Sequence, residues 1–373
     1  MQRILVFRIG QLGDTIAALP AMWVVRRRFP DASLTLLCDR HPQKQHVLAP
    51  DLLRGGGIFD AFESYVVDDT TAGKTARLLR MATLAMKLRR LRFDTLVYLA
   101  PSTRTPAQVE RDRRFFRLAG ITEFLGMRGF RELPRKTPGR PLASTPAESD
   151  LLLERLAADG LVVPAPQHGS LDLALGADEE SAVQDWLRTL PGDGGRPWLA
   201  VGPGSKMPAK RWPEDRYAAV VTELIREFDV WPVVFGGPED RALGENLLAG
   251  WHRGYNAAGA LGLRAAAAAL RRTVLYLGND TGTMHLAAAA GCPCVALFSA
   301  REWPGMWHPY GVPCRVLRSE IECDGCGLME CRERGNECLN RITVAGVRSA
   351  CADFLAPQNR TVTTSPARLV QRT

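Results

Sequence analysis

Short apolar runs alternate with amphipathic stretches through most of this chain. In the first half, the runs at 3–9, 33–38, 63–67 and 94–100 read as strands. The segments 14–29, 74–91 and 106–119 between them carry helical periodicity. Residues 126–144, rich in Gly, Pro and Arg, read as an exposed loop, and 146–160 as a helix closing the first unit. The breaker cluster Leu190-Pro191-Gly192-Asp193-Gly194-Gly195-Arg196-Pro197 then interrupts the pattern. After it the alternation restarts, with strands expected at 198–201, 230–235, 274–277 and 294–298. Helices are expected at 214–229, 240–251, 263–271 and 282–290.

This order predicts an α/β protein of two units, 1–172 and 173–356, each built round a parallel sheet. A polar tail, 357–373, is expected to fray. Open α/β sheets bind ligands beyond the carboxyl ends of their strands, so the loops that follow strands are where chemistry is expected. Two such units of similar size favour a cleft between them.

Charge changes the picture only locally. Of 48 basic residues 42 are Arg, and the net charge is +8. Residues 104–140 hold ten basic and four acidic residues, which is +6 of that total. That segment is either a solvated surface or a face for an anionic partner. No run reaches the ~20 apolar residues that span a bilayer, and the first apolar run is cut by Arg8. A cytoplasmic location is therefore expected. No nucleic-acid module or aromatic platform accompanies the basic charge, so no nucleic-acid partner is expected.

Four post-strand loops carry candidate chemistry. Arg8-Ile9-Gly10-Gln11-Leu12-Gly13-Asp14 is neither the dinucleotide fingerprint G-x-G-x-x-G nor a P-loop, which argues against a nicotinamide oxidoreductase. Its Asp14 is either a helix cap, worth about 1 kcal/mol, or a general base aimed into the cleft. Gly202-Pro203-Gly204-Ser205-Lys206, followed by Lys210-Arg211-Trp212-Pro213, suits a diphosphate, because backbone amides and an ammonium can share its charge. Phe235-Gly236-Gly237-Pro238-Glu239-Asp240 delivers two carboxylates that either cap a helix or accept ribose hydroxyls. Leu277-Gly278-Asn279-Asp280-Thr281-Gly282-Thr283-Met284-His285 runs from a strand into a helix N-terminus, where free amides and the helix dipole favour an anion. Thr281 and His285, four residues apart, share one face of that helix.

Taken together and in this order, Leu12-Gly13-Asp14, Lys210-Arg211-Trp212-Pro213, Gly236-Gly237-Pro238-Glu239 and Asp280-Thr281-Gly282-x-x-His285 resemble glycosyltransferase family nine, the bacterial lipopolysaccharide heptosyltransferases and their relatives. The resemblance covers roughly residues 1–355. It implies a GT-B fold, with an N-terminal acceptor domain and a C-terminal donor domain, both Rossmann-like, facing a central cleft. It also implies an inverting, metal-independent transfer of a sugar, ADP-heptose being the commonest donor, onto a surface glycolipid such as lipopolysaccharide core. Another nucleotide sugar or acceptor, or a non-catalytic sugar-nucleotide scaffold, are the alternatives. By position, Asp14 matches the family's base, Lys210 and Ser205 the donor-phosphate contacts, and Glu239 or Asp240 the ribose acid. Asp280, Thr281, Gly282 and His285 match the donor-binding turn. With an anionic lipid acceptor, residues 104–140 become a candidate for contact with the inner face of the inner membrane.

Nine cysteines occur, four of them close together as Cys323, Cys326, Cys331 and Cys338 in the pattern C-x2-C-x4-C-x6-C. Four thiolates could close a structural zinc or iron site; free thiols and disulfides are the alternatives. Sugar transfer needs no redox chemistry, so a catalytic role is not expected of them.

Overall fold

The computed structural model describes residues 1–41, 49–67 and 73–356; the polar tail lies outside the described residues. Two all-parallel sheets form. The first has β1 (Arg3–Phe7), β2 (Ser33–Arg40), β3 (Ala61–Val66), β4 (Thr95–Tyr98) and β5 (Glu123–Leu125), in the order β3-β2-β1-β4-β5. The second has β6 (Trp198–Gly202), β7 (Trp231–Val234), β8 (Tyr255–Asn256), β9 (Thr273–Asn279), β10 (Cys294–Phe298) and β11 (Cys314–Arg318), in the order β11-β10-β9-β6-β7-β8. Their central strands are buried on both faces, which is why they read as unbroken apolar runs rather than alternating ones.

One apolar core joins the sheets. It combines the inner face of the first (Ile4, Val6, Leu36, Leu99) and of the second (Ala200, Val233, Ala296) with helices between them. Those helices include Leu12–Ala17, Leu19–Arg28, Glu148–Ala158, Leu263–Leu270 and Gly282–Ala289. Helices Lys74–Leu91 and Pro106–Leu118 cover the outer face of the first sheet, and Glu214–Phe228, Arg241–Trp251 and Val344–Leu355 that of the second.

The expected helix over 14–29 is two helices broken at Ala18, because Pro20 lacks the amide needed to continue the first ladder. Three strands had no clear pattern: β5 and β8 are two or three residues long, and β11 carries two arginines at a sheet edge. Helix Ala177–Arg188, with three acids in its first turn, also forms and packs against Leu263–Leu270. Among the described residues no helix is long and apolar enough to cross a membrane.

The sheet orders place the site. In each sheet the chain winds outward in both directions from a central strand pair, β1/β4 in the first and β6/β9 in the second. The loops leaving such a pair diverge and open a crevice. The loops after β1, β6 and β9 are the ones carrying Asp14, Ser205 and Asp280.

Candidate functional site

Asp14 is not the helix N-cap. The helix starts at Leu12, so Asp14 is its third residue, and its carboxylate reaches back to accept the Gln11 amide at 2.9 Å. That geometry needs Gly10, whose φ of 118° is open only to glycine and which is pressed against the Asp14 side chain. The other carboxylate oxygen faces Arg8 at 3.4 Å, leaving the side chain a quarter exposed.

Arg8 is the residue that sequence reasoning passed over. Almost fully buried at the end of β1, it donates to the Leu99 carbonyl at 2.7 Å and faces Glu148 at 3.4 Å. Burial raises the Glu148 carboxyl above its ordinary range, opposed by Arg8, Arg155 and the Ser102 amide. A buried cation between two carboxylates therefore fixes the Asp14 side chain from behind.

In the second sheet, two glycines make room for one tyrosine. Gly202 and Gly278 pair across β6 and β9, and the Tyr276 hydroxyl occupies the space their side chains would take. Asn279, fully buried, ties three segments together. Its amide nitrogen donates to the Pro203 carbonyl at 2.7 Å, and its oxygen accepts the Trp212 amide at 3.2 Å and the Tyr217 hydroxyl at 2.9 Å. Sequence reading treated Asn279 as part of a turn; its role follows only from β6 and β9 being neighbours.

That anchoring sets Lys210 beside Asp280, at 2.6 Å in a nearly buried pair. Thr281 caps helix Gly282–Ala289, whose first amides lack helical partners and lie next to the pair. Ser205 is buried, and its hydroxyl oxygen accepts the Met207 amide at 3.1 Å while its proton stays free to donate elsewhere. Of the two acids after β7, Asp240 turns inward, packs against Gly204 and Gly236, and accepts the Gly237 amide at 3.1 Å. Burial raises its carboxyl above the usual range. Glu239 is exposed at the rim.

The two halves meet at glycines. Helix Leu12–Ala17 packs on helix Gly282–Ala289, with Gly13 against the His285 ring and Gly282 against Leu12. His285 is buried and T-stacked on Trp307 at 6.3 Å. Burial lowers its pKa; Asp280 opposes that, Lys210 adds to it, and Asp14 opposes it. The imidazole thus senses the carboxylate of the first half and the ion pair of the second, so the three turns converge on one place. Gly13→Ala would put a methyl carbon 2.7 Å from His285 Cδ2. We expect it to cost about 1–3 kcal/mol despite the better helix propensity of alanine, read as a lowered melting temperature. An unchanged melt would refute this packing.

The four clustered cysteines line one pocket beside the site, with Ala209 and Asn336. Their loop hangs from Arg301, whose side chain donates to the Gly327 and Leu328 carbonyls. It also holds the Lys210 segment: the Ala209 amide donates to Met329 at 3.1 Å and Asn336 to Pro208 at 2.9 Å. The metal expectation for Cys323, Cys326, Cys331 and Cys338 is not met by this arrangement. Among the described residues no three or more His, Cys, Asp or Glu side chains are set to hold a metal ion, and all nine cysteines are free thiols. The backbone anchors space the thiols round a wall instead of converging them on a point.

The basic segment is largely neutralised in place. Arg113 and Arg114 pair with Glu110, Arg128 with Asp159, Arg131 with Glu154, Arg135 with Glu132, and Lys136 with Asp324.

The model of glycosyltransferase family 9 (heptosyltransferase) matches residues 155–336. Lipopolysaccharide heptosyltransferase 2 of Salmonella typhimurium is 36% identical over 132 residues, which is 33% of this chain and 36% of the relative. The match thus spans about a third of that relative's length. The crystal structure of a family 9 glycosyl transferase from Veillonella parvula superposes with a TM-score of 0.68 at 21% identity, covering 95% of this chain and 97% of that one. The E. coli ADP-heptose lps heptosyltransferase II structure gives 0.66 at 22%, covering 96% and 99%. At such identities these superpositions establish the fold, which is the GT-B architecture of two parallel-sheet α/β domains. With the family model resting on the half that holds Lys210 and Asp280, and the fold shared end to end, the chain belongs to glycosyltransferase family 9.

Proposed function

We propose that the protein is an inverting glycosyltransferase that moves a sugar, heptose from ADP-heptose, onto a bacterial surface glycolipid such as lipopolysaccharide core. Residues 1–172 take the acceptor and 173–356 the donor. The observation that carries the reading is the convergence of Asp14, the Lys210–Asp280 pair and the Gly282–Ala289 helix N-terminus on His285. The solved E. coli heptosyltransferase whose title names ADP-2-deoxy-2-fluoro heptose shares the fold and supports the choice of donor.

In this reading Asp14 removes the proton of the acceptor hydroxyl as its oxygen attacks the anomeric carbon from the face opposite the leaving group. The new glycosidic bond forms as the bond to the diphosphate breaks, which inverts the centre. The diphosphate leaves with added negative charge, which Lys210, the Ser205 hydroxyl and the amides after Asp280 stabilise. Lys210 supplies positive charge where other transferases use a divalent ion, so no metal is assigned a step. Glu239, exposed at the rim, takes the ribose hydroxyls, while Asp240 is already engaged in holding its turn. His285, kept neutral by burial, separates the two carboxylates without adding charge.

Thermal shift against a panel of nucleotide diphosphates and nucleotide sugars tests the donor. ADP and ADP-heptose should raise the melting temperature more than UDP or GDP compounds, and ADP-heptose should turn over with core glycolipid. A preference for another base overturns the donor assignment, and no shift with any nucleotide overturns the transferase reading.

A further inference from the structure

We propose that the outer face formed by helix Lys74–Leu91 and the adjoining end of helix Pro106–Leu118 docks on an anionic lipid bilayer. Helix Lys74–Leu91 packs on its sheet through a narrow stripe centred on Leu84 and Leu88. On its other side Leu78, Leu79 and Met86 are 70%, 65% and 55% exposed. Spacings of i, i+4 and i+8 through Ala82 line them up on one face over more than two turns. Leu118, 73% exposed, ends the neighbouring helix. The following Gly120 lies against the Arg89 side chain, which brings Leu118 to the same end of the patch.

Isolated exposed leucines are ordinary, but an aligned set on adjacent helices marks a contact surface. Its charge says with what. The eighteen residues of helix Lys74–Leu91 include six Lys or Arg and no Asp or Glu. Exposed Arg80, Lys87, Arg89 and Arg90 are interleaved with the apolar side chains. A protein groove excludes charge from its centre, so this interleaving fits one poorly. It suits the headgroup boundary, where leucines enter the acyl region and arginine stems lie flat with their guanidinium groups on lipid phosphates. The sequence placed the membrane contact at 104–140, but there the cations are mostly answered by nearby carboxylates. The helix before it carries the uncompensated excess.

In a βαβ unit the helix begins at the carboxyl edge of the strand before it. Leu78 and Leu79, in its first turns after β3, therefore lie toward the edge that carries Asp14. A bilayer along this face would keep a lipid-anchored acceptor near the cleft. That purpose rests on the glycolipid reading, whereas the docking itself rests on the surface alone.

The test is co-sedimentation of the full chain with phosphatidylcholine vesicles, with and without phosphatidylglycerol. Wild type should bind the phosphatidylglycerol vesicles, lose binding in high salt and ignore the neutral ones. Leu78→Ser/Leu79→Ser/Met86→Ser and Arg89→Gln/Arg90→Gln should each weaken binding about tenfold or more, with melting temperature and ADP-induced thermal shift unchanged. No binding by wild type, equal binding to neutral vesicles, or undiminished binding by folded variants overturns the proposal. Vesicle binding without any ADP shift would sink the transferase reading and leave the docking face standing.

Discussion

Asp14→Asn should lower turnover at saturating donor and acceptor by about 10^2- to 10^4-fold, the usual contribution of a positioned general base. Donor affinity should stay near wild type. Asparagine keeps an oxygen to accept the Gln11 amide, so the helix start survives. What it loses is the ability to take a proton. Arg8 also loses an ionic partner but keeps the Leu99 carbonyl and Glu148, so the melting temperature should move by only a few degrees. The measurement is a steady-state transfer assay run beside an ADP thermal shift. Turnover at the wild-type rate would remove Asp14 as the base. Loss of turnover together with loss of the ADP shift would point to a collapsed site and leave the base untenable as the explanation.

The base was visible early because Leu12-Gly13-Asp14 sits directly after the first strand, and a strand followed by a helix N-terminus is a local pattern. Yet its local meaning was misread. Asp14 was expected at the cap, whereas the helix begins two residues sooner because Gly10 at positive φ turns the chain before Gln11. Gly13 was read as loop flexibility; it is inside a helix and is small because His285, some 270 positions later, lies against it. The same limit explains Arg8, Glu148 and Asn279. Each is a polar residue whose partners come from other segments, so its work is set by sheet order rather than by neighbours in the chain. The long strands and helices could be read because burial on both faces leaves an apolar run. Strands β5, β8 and β11 could not, being too short or too charged at a sheet edge to show one. The clustered cysteines gave a pattern without a geometry: spacing counts residues, while the anchors on Arg301 decide where the thiols point.

Lys210 and Asp280 are the pair whose disruption should separate structure from function most sharply. Their side chains are 12% and 5% exposed, so neither charge is well hydrated and each depends on the other. Lys210→Met leaves the Asp280 carboxylate buried alone, at a cost of about 3 kcal/mol or somewhat less, because the nearby helix N-terminus offsets part of it. Asp280→Asn leaves an unanswered ammonium that a bound diphosphate can neutralise, so its stability loss should shrink when ADP is present. The double variant Lys210→Met/Asp280→Asn removes both charges and should recover most of the melting temperature lost by Lys210→Met alone. Its turnover should not recover. The leaving diphosphate would still lack a charged partner, and a lost transition-state donor of this kind costs about 10^2- to 10^3-fold in kcat. If the double variant turns over as fast as wild type, the pair is a structural tie and the donor phosphates bind elsewhere. If its stability stays as low as that of Lys210→Met, the two side chains do not share one electrostatic site, and the convergence on which the transferase reading depends is lost.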